Sequence, residues 1–257
     1  MILSRRVALG GVQLDEISPW IVIRSVDHGV PKETISAVSQ MGGSGQRITS
    51  AHWETMDASV SYAIDLPKKR LEERRQIFEA VNTWASRGGW LTFSWMPNRR
   101  LYVDKVILPS MGDAWDWTNE YTITFRAYGV PFWQEATPNQ AASGVQSSGS
   151  LWLYTGGDVR GVLDATFQNQ SGMTISNFSI STPWSSLSLS GISLGGYSAL
   201  EIWHGTDGLL RITAGGSSVY GKYSGSDDLY VYPGGATVWF SADRAGVLTV
   251  RNYGRYA

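Results

Sequence analysis

The stretch "EYTITFRAYGVPFWQEATP", residues 120–138, decides how the chain is read. Its first half sets Tyr121, Ile123, Phe125 and Ala127 on alternate positions, the period of a half-buried strand. Its second half places Pro131, Phe132 and Trp133 in succession. Proline has no N–H to give a ladder, so the strand is expected to stop pairing at Pro131. Phe132 and Trp133 are then expected to anchor the chain as it leaves one domain for the next. Beyond lies "NQAASGVQSSGS", a run of linker composition. The expected organisation is a domain at 1–138, a linker at 139–150 and a second domain at 151–257.

The totals agree with two domains. The chain has 257 residues, 42% of them hydrophobic, enough for a packed core. Net charge is −1, which gives no sign of a nucleic-acid partner or a basic membrane anchor. There is no cysteine, so disulfides, zinc–thiolate sites and a thiol nucleophile are excluded, and folding in a reducing cytoplasm fits. No run is long and apolar enough for a transmembrane helix. "SRRVAL", residues 4–9, looks like the start of a twin-arginine export signal. Gln13, Asp15 and Glu16 interrupt the apolar run such a signal needs. Charge also divides the chain: residues 1–138 hold 15 basic and 15 acidic side chains, residues 139–257 only 6 and 7.

Working back from residue 120, the first domain carries one helix. In "DLPKKRLEERRQIFEAVNTWASRGG", Leu71, Phe78, Val81 and Ala85 share a face. Pro67 suits a first helical position and Gly88-Gly89 a left-handed stop. "WIVIRSV", "VSYAIDL", "GWLTFSWM" and "LYVDKVIL" read as strands, giving an α+β fold: antiparallel sheets with one main helix. With the helix starting at Pro67, Lys68, Lys69 and Arg70 fall in its first turn, where the macrodipole disfavours cations. A solvated face is the common reading of such charges; the misplacement also makes Lys68, Lys69, Arg70, Arg74 and Arg75 candidates for pairing with acidic groups on a neighbouring subunit. Working forward, short strands alternate with glycine turns up to "LYVYP", "TVWFSA" and "VLTVRNY". No helical period appears, so the second domain is expected to be an all-β sandwich.

Chemistry is sparse. His28, His52 and His204 show no metal-ligand spacing. There is no Gly-x-Ser-x-Gly elbow, and "GGSGQR" (42–47) lacks the Lys-Ser/Thr of a phosphate loop, so it reads as a hairpin tip. No catalytic residue, cofactor or metal site is expected. Asp158, Asp207, Asp227 and Asp228 sit in Gly/Ser turns, where aspartate bends the chain. A glycosidase needs two facing carboxylates, and the second domain offers only Glu201 and six aspartates. Trp and Tyr commonly fill sandwich cores, but Trp184, Tyr197, Trp203 and Trp239 are also candidates for stacking against sugar, so the alternative function is a carbohydrate-binding adhesion module for host cell-wall polysaccharide.

The ordered set "QRITSAHWETMDASVSYAIDL", the basic helix ending "WASRGG", "LTFSWMPNRRLYVDKV" and "YTITFRAYGVPFWQ" resembles the distal tail protein family of siphophages. The carrying residues are Arg47, Pro97, Arg99 to Tyr102, Val106 and Pro131-Phe132-Trp133. "YTGGDVRGVLDATFQNQSG" followed by "LYVYPGGATVWFSA" resembles that family's galectin-like C-terminal sandwich. Pro233-Gly234 matches its turn, and Gly235 stands where the family often has Asn. The resemblance implies a tail-tube-like N-terminal domain forming a hexameric ring, with the galectin-like domain outside it. It implies a structural hub protein of the virion tail tip and baseplate, assembled in the host cytoplasm. Its partners would be the tail tube protein, the tail-associated lysin, the tape measure protein and receptor-binding proteins. DNA would pass through the channel without specific binding, no membrane would be engaged, and the protein would not be an enzyme.

Overall fold

The computed structural model describes residues 5–39, 46–67, 70–110 and 120–257, and these divide into two compact units, Met1–Trp133 and Gln134–Ala257. In the first unit, β1 (Val7–Leu9) turns through Gly10 and Gly11, both at positive φ, into β2 (Val12–Gln13). Val7 and Leu9 are buried, so the arginine-rich start of the chain runs straight into a core strand. Next come β3 (Ile21–Asp27), then β4 (Glu33–Ser39) and β5 (Gln46–Trp53), which pair antiparallel with each other as a two-stranded arm. Then follow β6 (Met56–Ile64), α1 (Leu71–Ala85), β7 (Gly89–Phe93), β8 (Arg99–Val103), β9 (Lys105–Ile107) and β10 (Glu120–Ala127). One sheet runs β2-β1-β7-β8; the other runs β3-β6-β10-β9. The glycine-rich residues 42–45, read as a hairpin tip, lie outside the described residues.

Alternation builds the core. Ala58, Val60 and Tyr62 of β6 and Tyr121, Ile123, Phe125 and Ala127 of β10 are all buried on one face. The helix covers that face: Phe78 meets Tyr121 with ring centroids 4.8 Å apart, and Trp84 meets Phe125 at 6.2 Å. Each such side chain contributes about 1.5–3 kcal/mol through burial. On the opposite face Arg126 and Asp57, register partners, join in two bonds of 2.6 Å, and the guanidinium holds the Asp57 carboxyl below its ordinary range.

Two expectations for this unit are corrected. The helix begins at Leu71, with Arg70 as its N-cap, so its first turn carries Glu72 and Glu73, the sign the macrodipole favours. The Pro67 start would have put cations there; Lys68 and Lys69 lie outside the described residues. Likewise β10 ends at Ala127, four residues before Pro131. The Asp104 carboxylate captures the N–H groups of Tyr128 at 2.7 Å and Gly129 at 3.2 Å, turning the chain earlier than proline would. Asp104 also separates β8 from β9, which join different sheets although "LYVDKVIL" reads as one strand.

The second unit contains β-strands and one short 3-10 turn, and no α-helix among the described residues. β11 (Trp133–Glu135) spans the division. The remainder are β12 (Asn139–Ala142), β13 (Gln146–Leu153), β14 (Gly161–Asn169), β15 (Ile175–Ser181), β16 (Ser186–Leu194), β17 (Ala199–His204), β18 (Leu210–Ala214), β19 (Ser217–Ser218), β20 (Tyr223–Gly225), β21 (Tyr230–Val231), β22 (Ala236–Asn252) and β23 (Arg255–Tyr256). The expected linker at 139–150 is thus corrected: β12 and most of β13 occupy it, both paired with β22. Serine and glycine suggested flexibility, but a central partner strand satisfies their backbone.

Two expected strands, "TVWFSA" and "VLTVRNY", are in fact the 17-residue β22. Its first half, to Ala242, pairs with β13 and β15; its second half, from Gly246, pairs with β12 and β14. One half-sheet therefore runs β13-β22-β15-β16-β20 and the other β12-β22-β14-β17-β18-β19. Phe178, Ile180, Leu187 and Phe240 from the first half-sheet and Leu163, Phe167, Ile202 and Leu248 from the second fill one buried cluster. Gly235, just before β22, sits at φ +102°, and a Cβ there would lie 2.4 Å from the Leu153 carbonyl oxygen. Any side chain there would have to displace that backbone, so glycine suits the position.

Candidate interaction surfaces

Because β4 and β5 pair only with each other among the described residues, their arm rests on its root. There Glu54 N–H bonds the Lys32 carbonyl at 2.8 Å, and Thr34 Oγ1 bonds the Glu54 carboxylate. Phe132 packs edge-on against Trp53 at 5.0 Å. Trp133 packs on Phe93, and its Nε1 donates to the His28 carbonyl at 3.0 Å. His28 in turn accepts Trp95 Nε1 at 2.9 Å. Pro131, Phe132 and Trp133 are all buried, and the two rings brace the root of the arm within the first unit. Along the arm Ile35 and Val38 stay 51% and 52% exposed. The four-stranded sheet ends on β3 and β9, with exposed Trp20 and Val22 beside one edge and exposed Ile107 and Leu108 beside the other.

The basic residues of the helix separate. Arg70 pairs with Glu73 at 3.2 Å, and Arg75 pairs with Glu72 at 2.7 Å and Glu79 at 3.9 Å. These pairs are exposed to solvent, which screens them. Arg74 is only 1% exposed and donates Nη2 to the Leu66 carbonyl at 3.0 Å. Its guanidinium faces the interior, where a partner protein has no access.

The four aromatic residues nominated for stacking do not form one surface. Trp203 lies on the outer face of β17, with Arg211 over its ring at 5.0 Å, beside a cleft of about 390 Å³ lined by Asp164, Glu201 and Arg251. Tyr197 holds a turn at φ +59°. Trp239 stands on the other half-sheet, and Trp184, in the β15–β16 turn, meets Tyr232 at 4.9 Å. The sequence reading missed Trp152, which shares an outer face with Trp239 and is 59% exposed. The signal was present: in "SGSLWL" (148–153) Leu151 and Leu153 alternate inward, which turns Ser150 and Trp152 outward.

The third histidine is the most constrained. His204 has a side chain 3% exposed, with Nδ1 2.9 Å from Asp164 Oδ1 and Nε2 3.4 Å from Asp228 Oδ1. Burial alone would lower its pKa; the two carboxylates outweigh burial and raise it above the usual value. Arg255 stands in the same cluster, and burial pushes its pKa down to about 10. Among the described residues no group of three or more His, Asp or Glu side chains is arranged so that it could hold a metal ion, and no helix there is long and apolar enough to cross a membrane.

The sequence matches no protein-family model and no curated protein. Among solved structures the chain is similar to the SPP1 Dit protein, described as a paradigm of the hub adsorption apparatus in phages infecting Gram-positive bacteria. The TM-score is 0.65 at 12% identity, over 97% of this chain and 98% of that one. Two structures of the phage p2 baseplate in its activated conformation also align. The strontium form gives TM-score 0.42 at 8% identity and the calcium form 0.44 at 9%, each over 96% of this chain and 98% of the other.

Proposed function

We propose that the chain is a structural subunit of a phage tail tip, a distal tail protein whose first unit closes with five copies into a ring and whose second unit is a galectin-like docking module. The observation that carries this is the shared fold with the SPP1 Dit protein over nearly the whole chain. The surfaces of the first unit support it. An isolated two-stranded arm is marginal in water, so exposed Ile35 and Val38 call for a covering partner. The two edges of the four-stranded sheet differ, which suits a contact in which an edge of one copy joins the other edge of the next; such heterologous contacts form a ring when the rotation between copies closes. Arg70 and Arg75 are the basic candidates left at the surface for that contact, with Lys68 and Lys69 beyond the described residues.

In this reading the ring caps the tail tube, admits the tape measure protein and then DNA through its centre, and holds the lysin and receptor-binding or baseplate proteins. The role is structural, not catalytic, and its place is the virion. Electron-microscopy class averages of the purified protein, alone or with the tail tube protein, test it. The expected image is a six-fold ring with an open centre. Absence of a ring under both conditions rejects the proposal.

A further inference from the structure

The half-sheet β13-β22-β15-β16-β20 turns an unusual face outward. One cross-strand row carries a serine on every strand: Ser148, Ser241, Ser179, Ser188 and Ser224. The next row sets Trp239 between Ser150 and Ser181, and beyond it Trp152 stands opposite Thr237. Trp239 is 44% and Trp152 59% exposed. As diagonal neighbours on paired strands, their positions are roughly 7–8 Å apart. No ionisable side chain stands in these rows. Two residues along β22 from Ser241, the Asp243 carboxylate is engaged by the N–H groups of Ser176 and Asn177 at 2.9 and 2.8 Å.

We infer that this face binds a neutral polysaccharide chain, with sugar rings laid on Trp152 and Trp239 and sugar hydroxyls bonded to the serine rows. Two large aromatic side chains held side by side on an otherwise hydroxyl-lined sheet face form a platform open to a ligand. The occupant follows from its chemistry. Serine is depleted from protein–protein interfaces, whose enriched cation is arginine, and this face has many of the first and none of the second. Each hydroxyl both donates and accepts, matching a ligand made of hydroxyls. The absence of charge removes any attraction for an anionic polymer. The aromatic faces supply the apolar contact that a sugar's C–H face requires. The inference stands apart from the hub reading, since it concerns a face of the second unit and needs no ring.

The test is affinity electrophoresis of the intact chain in native gels containing a soluble neutral glucan, mannan or galactan, with polygalacturonate as the charged arm. At least one neutral polymer is expected to retard the protein, and to do so equally at high salt. Trp152→Ala combined with Trp239→Ala is expected to weaken retardation about tenfold or more, while Trp203→Ala, on the other half-sheet, leaves it unchanged. Both tryptophans are exposed, and an unchanged melting temperature confirms that the double variant folds. Four results overturn the inference: no retardation by any neutral polymer; equal retardation of the double variant; binding confined to polygalacturonate; or light scattering in which the native chain self-associates through this face and the double variant does not.

Discussion

Asn169 is the side chain whose removal tests the second unit most sharply. It is fully buried at the end of β14. Its Nδ2 donates to the Met173 carbonyl at 2.9 Å and the Gly195 carbonyl at 3.0 Å; its Oδ1 accepts from Ser171 N–H at 2.9 Å and Ser171 Oγ at 2.7 Å. One amide thus ties the turn after β14 to the turn after β16. Each bond nets about 1 kcal/mol, and water reaches some of the released partners, so Asn169→Ala is expected to cost about 2–4 kcal/mol. Asn169→Asp keeps both accepted bonds but aims a carboxylate at two carbonyl oxygens, so at pH 7 it is expected to cost more than alanine. Protonation returns one donor, so the Asp variant is expected to overtake the Ala variant near pH 4. The assay is calorimetry of the intact chain, following the transition that hydrogen exchange assigns to the second unit. At roughly 4 °C per kcal/mol the alanine loss is about 8–16 °C. A drop under about 2 °C, or an Asp variant insensitive to acid, refutes the reasoning.

Three further outcomes are expected. His204 has a raised folded pKa, so its contribution is fully present below the unfolded value of 6.5 and is lost as pH rises through the folded value. Calorimetry between pH 6 and 9 therefore finds the second unit's transition falling, and His204→Gln flattens that slope. Gly235→Ala forces a side chain into positive φ and against the Leu153 carbonyl, so urea unfolding is expected to show a loss of about 1–3 kcal/mol or more. Trp133→Ala removes the 3% exposed ring between Phe93 and His28. A loss of about 3–5 kcal/mol is expected, and hydrogen exchange rises first at the root of the arm.

What could be read from the sequence depended on whether local pattern and burial agree. The β6 and β10 strands declare themselves through Val60, Tyr62, Ile123 and Phe125, since one face is core and the other solvent. The helix interior declares itself through Phe78 and Val81. Its start does not, because Pro67 suits a first turn whether or not the helix begins there, and only tertiary packing chooses Leu71. Residues 139–150 are written like a linker, because strands whose outer face is a serine row have no hydrophobic alternation on that side. The Trp152 and Trp239 surface was hidden for the same reason: it appears only when β13 and β15 are placed on either side of β22. His204 gave no signal, since Asp164 and Asp228 come to it from 40 and 24 positions away.

A ring of the proposed kind requires surfaces of the first unit that are completed by its own copies. The mass of the purified chain in solution, by light scattering across a concentration series, tests it most directly. The expected result is a species six times the 28.2 kDa chain mass that falls apart when Ile35→Asp and Val38→Asp are combined on the arm. A mass fixed at 28.2 kDa at every concentration, with the tail tube protein present or absent, contradicts it.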